Sequence, residues 1–173
     1  MTKQEIQRAL VENYAAFTEH LRRMPDNQAH LAAEGKWSPT QQAEHLVKSV
    51  SPVTLAFSLP KFVLPLLFGK ANRPSRTYDE LIVKYKAKLA AGGKASSPFV
   101  PGVPDNLSIV CERLEKSVAT LCNRIDSFSE PQLDRLILPH PLLGKLTLRE
   151  ILYFTAYHAR HHQQLVESTH PTA

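Results

Sequence analysis

The sequence has little glycine and lacks the alternating pattern of a β-strand. Only six of the 173 residues are glycine, whereas thirteen are proline. No run of β-branched residues with alternating polarity is bounded by a tight-turn pair, which is the usual sign of a hairpin. Both features argue against a sheet protein and favour helices separated by proline-containing loops.

The chain also lacks an uninterrupted apolar run long enough to cross a membrane. Its most hydrophobic part, residues 51–70, is broken by Lys61 and by Pro52, Pro60 and Pro65. A spanning helix needs about 20 consecutive apolar residues. We therefore expect no transmembrane helix and no membrane partner.

Cysteine is scarce, and the N-terminal residues contain no apolar core of an export signal. The two cysteines, Cys111 and Cys122, are 11 positions apart in one predicted helix. The helical rise separates them by about 16 Å, which is too far for a disulfide between them. Two unpaired thiols suit a reducing compartment, so we expect a cytoplasmic protein.

The net charge of +5 is not concentrated in one segment. A basic protein could bind nucleic acid, and the basic residues that suggest this hypothesis are Arg73, Arg76, Lys84, Lys86 and Lys88. Acidic residues are interleaved with the basic ones, and no recognition motif is present. We rank nucleic-acid binding lowest among the possible functions.

Amphipathic helices are the dominant pattern in the sequence. Apolar residues recur at spacings of three and four, most regularly over residues 106–128. Four helix starts carry the capping-box pattern, in which a hydroxyl residue is followed three positions later by Glu or Gln. The four pairs are Thr2 and Glu5, Ser38 and Gln41, Thr77 and Glu80, and Thr147 and Glu150.

The helices and the lengths of their connections predict an all-α four-helix bundle with long crossover connections. Residues 52–76, 91–104 and 129–146 are the predicted connections, and Pro52 should end or kink the second helix. The length fits a single helical-bundle domain over residues 1–173. We expect the apolar stretch 52–70 to cover a pocket or to form a homodimer contact.

Histidine is concentrated near the C-terminus, in the stretch YFTAYHARHHQQLVE. His158 and His162 continue the apolar stripe of the last helix and lie one turn apart on one face. That spacing lets two imidazoles share one metal ion. His161 points roughly 60–100° away, so we expect it at the surface or behind the ligands.

A third ligand must come from elsewhere in the chain, because a divalent ion normally has at least three protein ligands. His45 lies beside the apolar face of the second helix, and His140 in LPHPLLGKL is the main competitor. His20, His30 and His170 are less suited, and the carboxylates of Glu44 and Glu150 could lie behind the ligands. The alternative is that the histidines are hydrogen-bonded core residues without a metal.

Two segments resemble the DinB/YfiT-like superfamily of metal-binding four-helix bundles. WSPTQQAEHL is similar to the family's entry to a helix that carries one histidine, and HPLLGKLTLREILYFTAYHARHHQQL is similar to the entry to a helix that carries two. The resemblance implies that His45, His158 and His162 hold a divalent ion. Imidazole ligands suit Zn, Ni, Fe or Cu, of which we expect Zn or Ni.

The resemblance also implies an enzyme with a small-molecule substrate. An ion on three neutral imidazoles could activate water in a hydrolase or a low-molecular-weight thiol in a transferase. No general base can be assigned from the sequence. The alternative is a non-catalytic, stress-linked metal-binding or scaffold bundle, in which His140 or Glu44 would be the fourth protein ligand.

Overall fold

Four long helices form a bundle in the computed structural model, which describes residues 1–102 and 106–170. Within these residues the elements are α1 (Lys3–Arg22), α2 (Asp26–Ala29), α3 (Pro39–Ser58), α4 (Val63–Phe68), α5 (Tyr78–Ala90), α6 (Leu107–Ile125), α7 (Glu130–Arg135), β1 (Ile137–His140), β2 (Gly144–Thr147) and α8 (Leu148–Thr169). The bundle consists of α1, α3, α6 and α8, and both α1 and α3 pack against α6 and α8. The all-α four-helix bundle with long connections is confirmed.

Each predicted capping box is present at the start of a helix. Thr2, Ser38, Thr77 and Thr147 accept a hydrogen bond from the amide three residues on, and the acidic or amide side chain at that position accepts one in return. These reciprocal bonds satisfy amides that would otherwise lack a partner at a helix end. Local sequence therefore sets where α1, α3, α5 and α8 begin.

The apolar stripes predicted from helical spacing face the core. The buried stripe residues of the four bundle helices include Ile6, Leu10, Tyr14, Phe17 and Leu21 on α1, Ala43, Leu46, Val47 and Val50 on α3, Val110, Cys111, Leu114, Val118, Leu121 and Ile125 on α6, and Ile151 and Thr155 on α8. Cys111 and Cys122 are free, as expected. Burial raises the pKa of each thiol to about 11.

Two short helices, α4 and α7, lie in segments predicted as connections, and the structure differs from the sequence expectation in two further places. Helix α3 does not end at Pro52 but continues through it to Ser58. Proline removes one helical hydrogen bond, and the burial of Ala56 and Phe57 beyond it offsets part of that cost.

The second difference is an antiparallel hairpin of β1 and β2, which corrects the expectation that the chain has no strands. Each strand has only four residues, and Pro139 interrupts the first, so no alternating pattern was visible. Leu138 and Leu146 pair across the strands and are buried. Packing on the bundle, rather than strand propensity, accounts for the hairpin.

The loop predicted over residues 91–104 contains one turn of 3₁₀ helix, Ser97–Phe99. Residues 103 and 104 of that loop, and the last three residues of the predicted 1–173 domain, lie outside the described residues. None of the described helices combines the length and the hydrophobicity required to cross a membrane.

A buried carboxylate joins the segment before α5 to the start of α8. Glu150 has no exposed side-chain surface, and its oxygens accept hydrogen bonds from the Arg73 guanidinium at 2.7 and 2.8 Å and from the Arg76 amide at 2.8 Å. It also caps α8 through the Thr147 amide. Burial alone would raise the pKa of Glu150, but these hydrogen bonds outweigh it and hold the pKa at about 2.

We expect Glu150→Gln to lower the free energy of unfolding at neutral pH by about 2 kcal/mol, because charge-assisted hydrogen bonds are lost in a buried site. The pKa of Glu150 is depressed on folding, so its contribution is complete above the unfolded value of about 4.3 and disappears as pH falls toward 2. Urea unfolding at pH 7 and pH 3 measures both effects. The wild type should lose more stability than Glu150→Gln between these pH values.

The matched control is Glu19→Gln, which removes a carboxylate that pairs with Arg23 on the exposed surface of α1. Exposed pairs contribute little, so we expect a change within about 0.5 kcal/mol. Equal losses for the two variants would contradict the role given to Glu150.

Candidate metal centre

Three histidine side chains from two packed helices meet inside the bundle. His45 lies in the first half of α3, and His158 and His162 lie one turn apart on α8. Their side chains offer nitrogen atoms that all lie within 4.8 Å of one another, and each residue is no more than 5% exposed. The structure therefore brings together the two histidines chosen from helical spacing and the third suggested by the family resemblance.

The spacing of the nitrogens is close to that of ligands on one ion. Nε2 of His158 lies 3.3 Å from Nε2 of His45 and 2.9 Å from Nε2 of His162. Tetrahedral ligands at Zn–N distances of 2.0–2.1 Å are about 3.4 Å apart. Both distances lie within about 0.5 Å of that spacing, and the ligand atoms of the three residues all lie within 4.8 Å of one another.

In His45 and His162, the outer ring nitrogen Nδ1, which points away from the cluster, makes a hydrogen bond that sets the tautomer required for coordination. Nδ1 of His45 lies 2.7 Å from the carbonyl oxygen of Phe99, and Nδ1 of His162 is hydrogen-bonded to the side-chain oxygen of Gln42. Both oxygens are acceptors, so each Nδ1 carries the proton and each Nε2 presents a lone pair to the cluster. Ligating histidines are usually held in this way.

The third ring, His158, has a buried Nδ1 for which the described residues offer no hydrogen-bond partner. Its Nε2 is the atom that both other rings approach. Converging nitrogen lone pairs repel one another unless a proton or a cation lies between them. The converging nitrogen lone pairs therefore suit a divalent cation at this position.

Burial keeps the three rings neutral. It lowers the pKa of His158 and His162 well below the ordinary value, and the neighbouring histidines lower them further. Burial also lowers the pKa of His45, against an opposing effect of the hydrogen bond to Phe99. Neutral imidazole is the form that binds metal.

The other candidate ligands lie outside this cluster. His161 is partly buried and packs edge-on against Tyr85, with ring centroids 5.5 Å apart. Glu44 pairs with Arg113 at 3.3 Å, and His140 lies at the end of β1. In residues 1–102 and 106–170, the three histidines are the only grouping of three or more His, Cys, Asp or Glu side chains with metal-binding spacing.

A cavity of about 610 Å³ opens beside the histidines. Six residues of the apolar stretch 52–70 line it, namely Pro52, Val53, Leu55, Ala56, Leu59 and Phe68. The prediction that this stretch covers a pocket is confirmed for these residues. Phe62, Leu66 and Leu67 of the same stretch are exposed instead, at 60% or more.

Sequence reasoning did not assign three groups that surround the cluster. Gln42 and the Phe99 carbonyl bind the outer nitrogens, and Trp37 packs on His45 with ring centroids 4.9 Å apart. Gln42 precedes His45 by three residues on the same helix face, which was an available signal. Nothing in the loop sequence marks the carbonyl of Phe99, because any residue supplies one.

Comparisons with known proteins agree with this architecture. A family model described as the DinB superfamily matches residues 9–166. Among solved structures, YfiT from Bacillus subtilis, described as "a probable metal-dependent hydrolase with an unusual four-helix bundle topology", aligns with a TM-score of 0.65 and 18% identity over 99% of this chain and 89% of that chain.

The structure of TT2238, described as "a four-helix bundle protein", aligns with a TM-score of 0.61 and 20% identity over 96% of this chain and 99% of that chain. At these identities the two structures show a shared fold. No curated protein matches the chain significantly.

Proposed function

Because the chain belongs to the DinB superfamily, we propose that it is a metal-dependent hydrolase in which His45, His158 and His162 hold a divalent ion, Zn or Ni. The observation that carries the proposal is the convergence of three buried Nε2 atoms. In two of these rings, His45 and His162, Nδ1 donates a hydrogen bond to an oxygen acceptor. Such an ion would polarise a substrate carbonyl and lower the pKa of bound water.

Coordination by three protein ligands supports catalysis over a purely structural role. A structural site is normally closed by a fourth protein ligand, and neither His140 nor Glu44 joins the described cluster. The cavity lies against the same three histidines, so a small molecule could reach them. The apolar residues that line the cavity would exclude bulk water and keep the three imidazoles neutral.

Hydrolysis is the preferred reaction because YfiT, which shares the fold, is described as a probable metal-dependent hydrolase. Transfer of a low-molecular-weight thiol is the alternative reaction. If the protein is not an enzyme, the alternative is a non-catalytic metal-binding bundle.

The test uses untagged purified protein, since a His-tag would itself bind metal. Elemental analysis should find about one divalent ion per chain, and a panel of uncharged esters and amides should be hydrolysed in proportion to metal content. Conjugation of an electrophile only in the presence of a small thiol would favour the transferase. Stoichiometric metal with neither activity would favour the non-catalytic bundle.

Gln42→Ala should weaken metal affinity about 10- to 100-fold, because Gln42 holds the Nδ1 proton of His162 and thereby orients the ligand. Competition with a chromogenic chelator measures the affinity. Gln163→Ala is the matched control, since Gln163 lies next to His162 but pairs with Glu167 on the exposed face of α8. If both variants bind the ion as tightly as the wild type, Gln42 does not support the site.

We also propose that exposed apolar residues of α4 form a homodimer contact. Leu66 is 79% exposed and Leu67 is 60% exposed, and clusters of such residues commonly mark interfaces. The double variant Leu66→Asp, Leu67→Asp should be monomeric in sedimentation experiments at concentrations where the wild type is dimeric. A wild type that stays monomeric at high concentration would refute the contact.

Two further predictions from the sequence stay proposals. The free thiols of Cys111 and Cys122 suit a reducing cytoplasm. The division into a single domain over residues 1–173 rests on chain length and on the family match to residues 9–166.

A further inference from the structure

His140 lies in the wall of the cavity but outside the metal-ligand cluster. It ends β1, is partly buried and lines the cavity together with the three ligand histidines. The ring of Phe154 packs on both His140 and His158, with centroid distances of 4.3 and 4.7 Å. His140 is therefore one aromatic ring away from a proposed metal ligand.

The hairpin turn fixes the tautomer of this ring. Nδ1 of His140 accepts hydrogen bonds from the backbone amides of Leu142 and Leu143, both at 3.1 Å. A nitrogen that accepts from two N–H groups carries no proton, so Nε2 carries it. Nε2 lies on the opposite side of the ring, and the described residues supply no hydrogen-bond acceptor for it.

The ring is also neutral at physiological pH. Burial, with a smaller effect of nearby Lys84, lowers the pKa of His140 to about 4. His140 thus presents a fixed neutral N–H donor rather than a cation. A neutral donor recognises neutral acceptors such as carbonyl oxygens.

The rest of the cavity wall favours uncharged ligands. Its described lining contains no Asp, Glu or Arg, and its two lysines, Lys36 and Lys94, are exposed to solvent. The inner wall near His140 includes Leu138, Leu142 and Phe154. An ionised group buried here would lose its hydration without a charged partner, whereas an apolar body would gain from burial.

We propose that His140 is a substrate-binding residue whose Nε2–H donates to a neutral acceptor on an uncharged, mainly apolar substrate. The reacting group of that substrate would face the three histidines while its acceptor atom takes the hydrogen bond from His140. The inference builds on the proposed function, since it names the substrate class for the same site. His140 was a candidate metal ligand on sequence grounds, and the geometry assigns it to the substrate instead.

The test uses the fluorophore 6-propionyl-2-dimethylaminonaphthalene, which is uncharged and apolar and whose emission moves to longer wavelength when its carbonyl accepts a hydrogen bond. Binding is measured with the full chain as isolated and again after chelation. His140→Asn removes Nε2–H, while its side-chain oxygen can still accept from the turn amides. His30→Asn, at an exposed position outside the cavity lining, is the matched control.

We expect the wild type and His30→Asn to bind the fluorophore with the hydrogen-bonded emission. His140→Asn should bind it about three- to tenfold more weakly, with emission at shorter wavelength. Its metal content should equal that of the wild type. A merely structural role for His140 would leave the wavelength of the bound fluorophore unchanged.

Unchanged affinity and emission in His140→Asn would overturn the proposal, as would failure of the wild type to bind the fluorophore. Loss of metal in His140→Asn would also overturn it, because His140 would then support the ligands. The chelated sample separates this proposal from the metal-dependent function. Fluorophore binding that persists without metal supports the role of His140 even if the hydrolase proposal fails.

Discussion

Replacing His158 with alanine is expected to reduce bound metal from about one ion per chain to nearly none. His158 is the central one of the three proposed ligands, since its Nε2 lies 3.3 Å from that of His45 and 2.9 Å from that of His162. The two remaining imidazoles leave a divalent ion short of the three protein ligands that such sites normally provide. Elemental analysis after gel filtration measures the loss, and metal-dependent hydrolysis should fall with it.

His161→Ala is the matched control for this experiment. His161 is on the same helix and differs from the ligands in the face it occupies, where it packs against Tyr85. Its variant should keep metal near the wild-type level. Metal retained in His158→Ala, or lost in His161→Ala, would mean that the ligand set is wrong.

Removing the metal with a chelator is expected to lower the melting temperature at neutral pH while the protein stays helical and unfolds cooperatively. The ion would connect His45 on α3 with two ligands on α8, and it would bind only the folded chain. At a free metal concentration of about 100 times Kd, such binding adds about 2.7 kcal/mol to stability. For a chain of this size that corresponds to about 5–10 °C in Tm.

The core should keep the bundle folded without the ion. Tyr14, Phe17, Leu114 and Leu121 are fully buried or nearly so on α1 and α6, which carry none of the three histidines. Circular dichroism melts with and without chelator decide between the outcomes. An unchanged midpoint in a metal-loaded sample would show that the ion does not stabilise the fold by connecting α3 with α8. Complete unfolding on chelation would show that the core alone does not keep the bundle folded.

The control for this experiment is His158→Ala itself. Its melting temperature should not respond to the chelator, because it has no ion to lose. A chelator effect of equal size in the variant and the wild type would show that the chelator acts elsewhere on the protein.

Helix positions were predictable because their signals are local. A capping box acts over three residues, and an apolar stripe repeats every three or four, so neither depends on distant parts of the chain. The starts of α1, α3, α5 and α8 follow from these rules. The paired direction of His158 and His162 follows from the same periodicity.

The errors fall where distant packing decides the local structure. Pro52 is a helix breaker by its own chemistry, yet α3 passes through it and buries Ala56 and Phe57 in the core. Leu138 and Leu146 form a hairpin because the bundle supplies a surface for them to cover. Neither outcome is encoded in a window of a few residues.

Glu150 shows how one residue can combine a local and a distant role. Its capping bond to Thr147 was predictable from spacing. Its ion pairs with Arg73 and Arg76 join positions more than 70 residues apart and required the fold. Two of the five basic residues that suggested nucleic-acid binding, Arg73 and Arg76, are paired with this buried carboxylate.

The sequence by itself determined where α1, α3, α5 and α8 begin, the bundle class and the alignment of two histidines on one face, because these depend on contacts within a turn or two of helix. Only the tertiary structure decided that His45 meets His158 across 113 residues of chain, that Phe99 and Gln42 bind the outer nitrogens, and that His140 faces a cavity rather than an ion. These features depend on the packing of α3 against α8 and on the path of the connecting segments. Such packing sums many weak long-range contacts, and no short stretch of sequence records them.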